Sequence, residues 1–197
     1  MIGKDSKYDV VIVGAGVSGL FMFHKLRNMG LSVLVIEKSD ELGGTWNWNR
    51  YPGARCDIPS LEYSYQFDED LQQEWNWSEK YSAGPEILEY LNHVADRFDL
   101  KKDINFEEEV VEAKFNEANS QWSIKTSKQE YQTKFCIFAT GCLSVPNKPE
   151  IEGLESFEGE LLHTATWPRD EVDFTGKNVA IIGTGSSSIQ TIPEIAK

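Results

Sequence analysis

The chain has 197 residues, with 19 basic and 32 acidic side chains and a formal charge of −13. A surface this acidic disfavours nucleic acid or an anionic membrane as the main partner, and no apolar run approaches the ~20 residues of a membrane span. Apolar residues at 40% and charged residues at 26% describe a globular chain, long enough for one full domain or one and a part.

Tyr8–Val13 is a short β-branched run stopped by Gly14, the pattern of a strand buried on both faces. Val17 to Met29 carries apolar residues at helical spacing and stops at Gly30. Ser32–Glu37 reads as a second strand, which completes a βαβ unit of about thirty residues. From Lys38 to Ala83 the periodicity fails, and the stretch is rich in Gly, Trp, Tyr, Asn and Pro. An irregular segment of that length in a compact domain points to function. Pro85–Phe98 predicts an amphipathic helix. Ile104 to Tyr131 predicts a small antiparallel meander with a turn at Asn116–Ser120, and Phe135–Ala139 another buried strand. The stretch from Val145 to about Pro168 is proline-marked and reads as a linker. Asn178–Ile182 predicts a new strand, and Ser186–Lys197 a helix, so a second βα unit begins near residue 175.

Cys56, Cys136 and Cys142 are too few for a disulfide scaffold and lack metal spacing, so no metal site is expected. The expected setting is soluble, reducing and cytoplasmic. The N-terminal stretch is like a signal peptide only superficially, because its apolar run is short and its glycines have another use.

Gly14-Ala15-Gly16-Val17-Ser18-Gly19 is a G-x-G-x-x-G between strand and helix. Gly14 permits the tight turn, Gly16 the approach of a pyrophosphate, and Gly19 close helix–strand packing. The helix N-terminus adds N–H groups and the positive end of a dipole. Glu37, 18 residues after Gly19, is placed to accept ribose hydroxyls. Gly183-Thr184-Gly185-Ser186-Ser187-Ser188 repeats the arrangement with Ser188 in place of the third glycine. Two such turns predict two dinucleotides, and a flavin with a nicotinamide is the pair between which hydride passes. Leu42–Asp57 (LGGTWNWNRYPGARCD) combines glycines, two tryptophans, Arg50 and Arg55 with Asp57. From the residues alone, a packed aromatic loop and a ring-binding loop stay equally open. His163 reads as a packed or capping residue rather than an acid–base catalyst; His24 and His93 read as structural or solvated.

The string GGTWNWNRYPGARCD closely resembles the flavin-site loop of Baeyer–Villiger monooxygenases. Phe157 to Pro168 (FEGELLHTATWP) fits that family's fingerprint F-x-G-x-x-x-H-x-x-x-W-P at every fixed position, between the two glycine turns. The resemblance covers about residues 8–197. It implies an α/β fold with a Rossmann-like FAD-binding domain of the GR2 type carrying a small β-meander, then the start of a second Rossmann-like, NADPH-binding domain. The expected boundaries are 1–144, a linker 145–174, and 175–197. It implies FAD and NADPH as cofactors, O2 and a ketone as substrates, and an ester or lactone formed through a C4a-peroxyflavin. By position, Gly14, Gly16, Ser18 and Gly19 hold the FAD pyrophosphate and Glu37 its ribose. Thr45, Trp46, Asn47 and Trp48 lie along the flavin. Asp57 and Tyr63 sit near the ring, Asp57 being the residue expected to influence catalysis, and Val110 touches adenine. Gly183, Thr184, Gly185, Ser186, Ser187 and Ser188 hold the NADPH pyrophosphate. Phe157, Gly159, His163 and Trp167 couple domain movement to catalysis. Thr140-Gly141 resembles the family's A-T-G element.

Asn47 stands where the family has Tyr. The family runs to roughly 500 residues or more, so the expectation is an N-terminal fragment that is incomplete on its own and lacks the catalytic arginine, whose role would be electrostatic. Three alternatives remain. One is a related N- or S-oxygenating flavin monooxygenase, in which the RYPGARCD loop is not expected. The second is a non-catalytic FAD-binding module, and the third a non-functional fragment that binds neither cofactor.

Overall fold

The structure, a computed structural model, describes residues 7–197. The signal-like start, residues 1–6, lies outside the described residues. The chain divides into two compact units. One comprises the chain as far as Gly44 together with Tyr90–Cys142; the other comprises Thr45–Glu89 with Leu143–Lys197.

The first unit is built on a six-stranded sheet. Its strands are β1 (Lys7–Val13), β2 (Val33–Ile36), β3 (Ile104–Asn105), β4 (Val110–Asn116), β5 (Gln121–Thr126) and β6 (Glu130–Phe138), in the order β3-β2-β1-β6-β5-β4. β1 runs parallel to β2 with Val10 opposite Val33 and Val13 opposite Ile36, and parallel to β6 with Val13 opposite Phe138. Val10, Val11, Ile12 and all of β2 are buried. Each such side chain stabilises the fold by about 1.5–3 kcal/mol relative to exposure. Helix α1 (Val17–Asn28) buries Gly19, Leu20 and Phe23. The Arg27 guanidinium donates to the carbonyls of Phe98 and Asp99, tying α1 to the end of the helix that precedes them.

Two strand expectations change within this sheet. Ile104–Asn105 is not part of the meander; it pairs in parallel with β2 as the sheet's edge. The meander and the FCIFA strand are also continuous, because β6 pairs antiparallel with β5 over Glu130–Thr133 and parallel with β1 as far as Phe138. Phe135 and Phe138 are exposed rather than buried. Beyond Thr133 the ladder with β5 has ended, so the rest of β6 pairs with β1 alone.

The second unit carries short pieces joined by turns: α2 (Thr45–Trp48), α3 (Glu69–Glu74), the start of α4 (Gly84–Arg97), and α5 (Ser186–Ile195). Asp68 caps α3 by accepting the Leu71 N–H at 2.8 Å, the usual use of an acid at that position. In α4, Ile87, Tyr90, Leu91, Val94 and Ala95 form a buried stripe at helical spacing. Asn178–Ile182 forms no strand in the structure. A strand needs at least one paired neighbour to satisfy its backbone groups, and no described residue pairs with this segment; Ile182 is largely exposed. Among the described residues, no helix is long and apolar enough to cross a membrane.

Candidate functional site

The first glycine turn sits where β1 hands over to α1. Gly14 adopts φ +105°, and its N–H donates to the Ile36 carbonyl at 2.8 Å. A Cβ on Gly14 would stand 2.6 Å from the Ala139 carbonyl oxygen. A Cβ on Gly19 would be driven into the Gly14 carbonyl itself. Gly16 is the N-cap of α1 in an extended conformation, and no side chain caps the helix. Gly44 crosses directly over it: a Cβ on Gly44 would lie 3.1 Å from the Gly16 Cα. The Gly43 N–H donates to the Ala15 carbonyl at 3.0 Å. The helix start is therefore surrounded by backbone, the arrangement that admits an anion.

Glu37 is buried. Its Oε2 accepts the Ala15 N–H at 2.7 Å and its Oε1 the Ser39 N–H at 2.8 Å. The acid is thereby aimed by the turn it serves, with lone pairs left on each oxygen. Val110 opens β4, half-buried against Val11, Leu34, Ile36, Ile124 and Tyr131. Ser18 is exposed on the first turn of α1.

The tryptophan loop belongs to the second unit. Trp46 meets the Tyr63 ring edge-on, with centroids 5.6 Å apart and planes at 74°. Burial pushes the Tyr63 hydroxyl's pKa up, and the Cys56 and Asp57 side chains add to the rise. Asp57 itself is exposed, as are Thr45 and Trp48. Asn47, the departure from the family pattern, is fully buried, and its Oδ1 accepts a hydrogen bond from Arg50. Arg55 pairs with Glu79 at 3.0 Å. Neither arginine is thus held by Asp57.

The second glycine turn repeats the backbone of the first. Gly183 has φ +123° where Gly14 has +105°. Gly185 caps α5 at φ −81°, ψ −179°, where Gly16 caps α1 at φ −83°, ψ −168°, again with no side-chain cap. Ser188 is accommodated: its Oγ would lie 3.5 Å from a Cβ on Gly183, an ordinary contact. Thr184 and Ser186 are exposed and Ser187 half-buried.

In the fingerprint segment, His163 Nδ1 accepts the Ala165 N–H at 3.2 Å, capping the turn Thr164–Thr166. Its other ring nitrogen, Nε2, lies 3.2 Å from the Asn147 carbonyl. With Nδ1 accepting, Nε2 carries the proton and donates there. This is a capping histidine. Among the described residues, no group of three or more His, Cys, Asp or Glu side chains could hold a metal.

Sequence reasoning missed Ser39 and Ala139 around the first turn, and Gln190 on α5, which bonds Tyr51 and Arg55. Gly44, with Gly43, was legible as a pair that permits close backbone approach. The others contribute backbone atoms or a single amide, for which the sequence carries no signal.

The sequence pattern of the family described as pyridine nucleotide-disulphide oxidoreductase matches residues 11–197. A Baeyer–Villiger monooxygenase of Pseudooceanicola batsensis is 43% identical over 197 residues, covering 99% of this chain and 36% of that protein. Phenazine N-monooxygenase PhzNO1 of Lysobacter antibioticus is 40% identical over 200 residues, covering 100% of this chain and 37% of that protein. A solved structure of oxidized steroid monooxygenase bound to NADP superposes with a TM-score of 0.92 at 54% identity, over 97% of this chain and 37% of that one. The chain thus spans a little over a third of the relatives it matches.

Proposed function

We propose that this chain, which belongs to the pyridine nucleotide-disulphide oxidoreductase family, supplies the FAD-holding turn, the tryptophan loop and the leading part of the nicotinamide dinucleotide site of an NADPH-dependent Baeyer–Villiger monooxygenase. The observation that carries the reading is the repeated backbone of the two glycine turns, each ending in an uncapped helix start. Two sites of one design suit two dinucleotides. The proposed substrates are a ketone and O2, and the product an ester or lactone. In domain terms, residues 1–144 form the FAD-binding part, 145–174 the linker and 175–197 the beginning of the NADPH-binding part. Free cysteines and dependence on NADPH suit a cytoplasmic location.

FAD, when bound, supplies the ring that accepts hydride from NADPH and reacts with O2. The chain's own residues do the rest. The bare backbone of Gly14, Gly16 and Gly19, with Ser18 beside it, holds a pyrophosphate at the start of α1. Glu37, fixed by two backbone N–H groups, presents its remaining lone pairs to ribose hydroxyls, and Val110 offers an apolar edge to adenine. Thr45, Trp46, Asn47 and Trp48 form the loop along the flavin. Asp57 places its carboxyl group beside Tyr63, whose raised pKa keeps it a neutral hydrogen-bond donor. Residues 183–188 hold the second pyrophosphate.

Absorbance tests the reading. The purified chain is mixed with excess FAD, freed of unbound cofactor and scanned for bound flavin; NADPH is then added without oxygen. Retained yellow colour that bleaches with NADPH supports the whole proposal. Colour that does not bleach confines this chain to FAD binding, and a colourless protein refutes the assigned FAD site.

The relative named as an N-monooxygenase favours one second reading, oxygenation of a ring nitrogen. That relative matches the whole chain, so this region does not separate the two chemistries. Product analysis with a ketone and with an aromatic N-heterocycle decides between them.

A further inference from the structure

We infer that Gln190 is a positioning residue that joins the Arg50–Arg55 loop to the helix of the second glycine turn, so that a nicotinamide dinucleotide bound at residues 183–188 is sensed at Asp57 and Tyr63. The inference rests on the proposed reading of residues 183–188 as a dinucleotide site. Its own ground is the geometry of α5 and the loop.

Gln190 uses both ends of its amide on one short segment. Oε1 accepts the Tyr51 hydroxyl at 2.8 Å and the Arg55 N–H at 3.4 Å, while Nε2 donates to the Arg55 carbonyl at 3.0 Å. The side chain thus pairs with the Arg55 backbone in both directions, as a neighbouring strand would. The loop apex is fitted to the same helix. Gly53 has φ +78°, and a Cβ there would stand 2.9 Å from the Gln190 carbonyl carbon and 2.9 Å from Glu194 Cγ. An apolar side chain of similar size would fill this space but would leave the Arg55 N–H and carbonyl to find other partners.

The two ends of this link are the two proposed ligand surfaces. Gln190 follows the N-cap Gly185 by little more than one turn of α5, so it moves with the helix start. Arg55 precedes Asp57 by two residues. Between them, the Cys56 N–H is anchored on the Ser82 carbonyl at 3.0 Å, and the loop is closed internally by the Ala54 N–H on the Tyr51 carbonyl at 3.1 Å. Cys56 and Asp57 are the side chains that, after burial, raise the Tyr63 pKa, so they lie close enough for Tyr63 to feel them. A displacement of the α5 start therefore reaches Asp57 and Tyr63 through a stiff segment rather than a slack one.

The test uses the full chain loaded with FAD, with NADP+ as the probe. Two quantities are read: the NADP+-induced difference spectrum of the flavin, and NADP+ binding by calorimetry. In the unsubstituted chain NADP+ binds and shifts the flavin spectrum. Gln190→Leu is expected to cut that spectral amplitude severalfold while NADP+ affinity changes much less. Tyr51→Phe removes a single oxygen and is expected to reduce the amplitude in the same direction. Gln190→Glu keeps both acceptor bonds but sets an acceptor oxygen in place of Nε2 against the Arg55 carbonyl, so it should restore only part of the amplitude. If Gln190→Leu fails to hold FAD, Tyr51→Phe and Gln190→Glu decide. Unchanged amplitude in the variants, with NADP+ bound, overturns the role of Gln190 and leaves the dinucleotide site standing. Absence of NADP+ binding to the unsubstituted chain overturns the site and this inference together.

Discussion

Glu37 Oε2 accepts the Ala15 N–H at 2.7 Å, which locks the acid at the end of β2 to the turn between β1 and α1. The second oxygen is held equally firmly by Ser39. The carboxylate is an acceptor on both sides, and a carboxamide cannot be. Glu37→Gln must point its NH2 at one of these two N–H groups. The expected cost is about 1–3 kcal/mol, that of a buried donor left without an acceptor. Urea denaturation with and without FAD measures it. Unaltered stability together with unaltered FAD retention would show that the two bonds do not matter.

Two glycines separate a backbone constraint from a soft one. Gly19→Ala drives a methyl into the Gly14 carbonyl, which cannot move without breaking the turn. It is expected to destabilise by about 1–3 kcal/mol and to abolish FAD retention. Gly159→Ala instead meets the far end of the Phe157 ring at 2.6 Å, and that ring is exposed and free to turn. Its expected effect is within about 0.5 kcal/mol. Thermal melts of the two variants side by side check the contrast.

Tyr131 gives the fold a pH dependence. Burial first, and then the Glu108 carboxylate that accepts its hydroxyl at 3.0 Å, raise its pKa to about 12. The unfolded chain releases the same proton near about 10. The folded state thus holds a proton that the unfolded state has lost. This contribution is whole below about pH 10 and lost as pH rises toward about 12. The urea midpoint of the unsubstituted chain should fall more steeply across that window than that of Tyr131→Phe. Parallel curves for the two proteins would remove Tyr131 from the account.

Burial likewise pushes the Cys136 thiol up to about 11, while Cys142 is exposed. Only the thiolate reacts with an alkylating agent, so at pH 8 Cys136 should be labelled about 100-fold more slowly than a free cysteine. Cys142 should be labelled first. Timed iodoacetamide labelling read by mass spectrometry orders the two.

Much of this was legible in the residues. YDVVIV, the glycine turn, Glu37 and the helix spacing from Val17 specify a βαβ unit through local rules alone: a β-branched run, a turn only glycine can make, and apolar residues on one helical face. The resemblance of residues 43–57 and 157–168 to a known family was equally a matter of sequence. Less local features were not legible. That Ile104–Asn105 leaves the meander to pair with β2, and that β6 serves two strands in opposite senses, depends on which strands meet. Asn178–Ile182 has the composition of a strand and forms none, because a strand exists only with a partner.

The sequence by itself determined where the first glycine turn and helices α1, α4 and α5 fall, because those depend on steric rules acting over a few neighbouring residues; the short helices α2 and α3 carry no such signal. Only the tertiary structure decided what those turns face. Ala139 against Gly14, Gly44 over Gly16, and Gln190 on Tyr51 and Arg55 join residues as many as 139 positions apart. Such contacts are made by backbone atoms that every residue possesses, or by one amide among many. Their placement follows from the packing of the whole chain and leaves no mark in any short stretch of it.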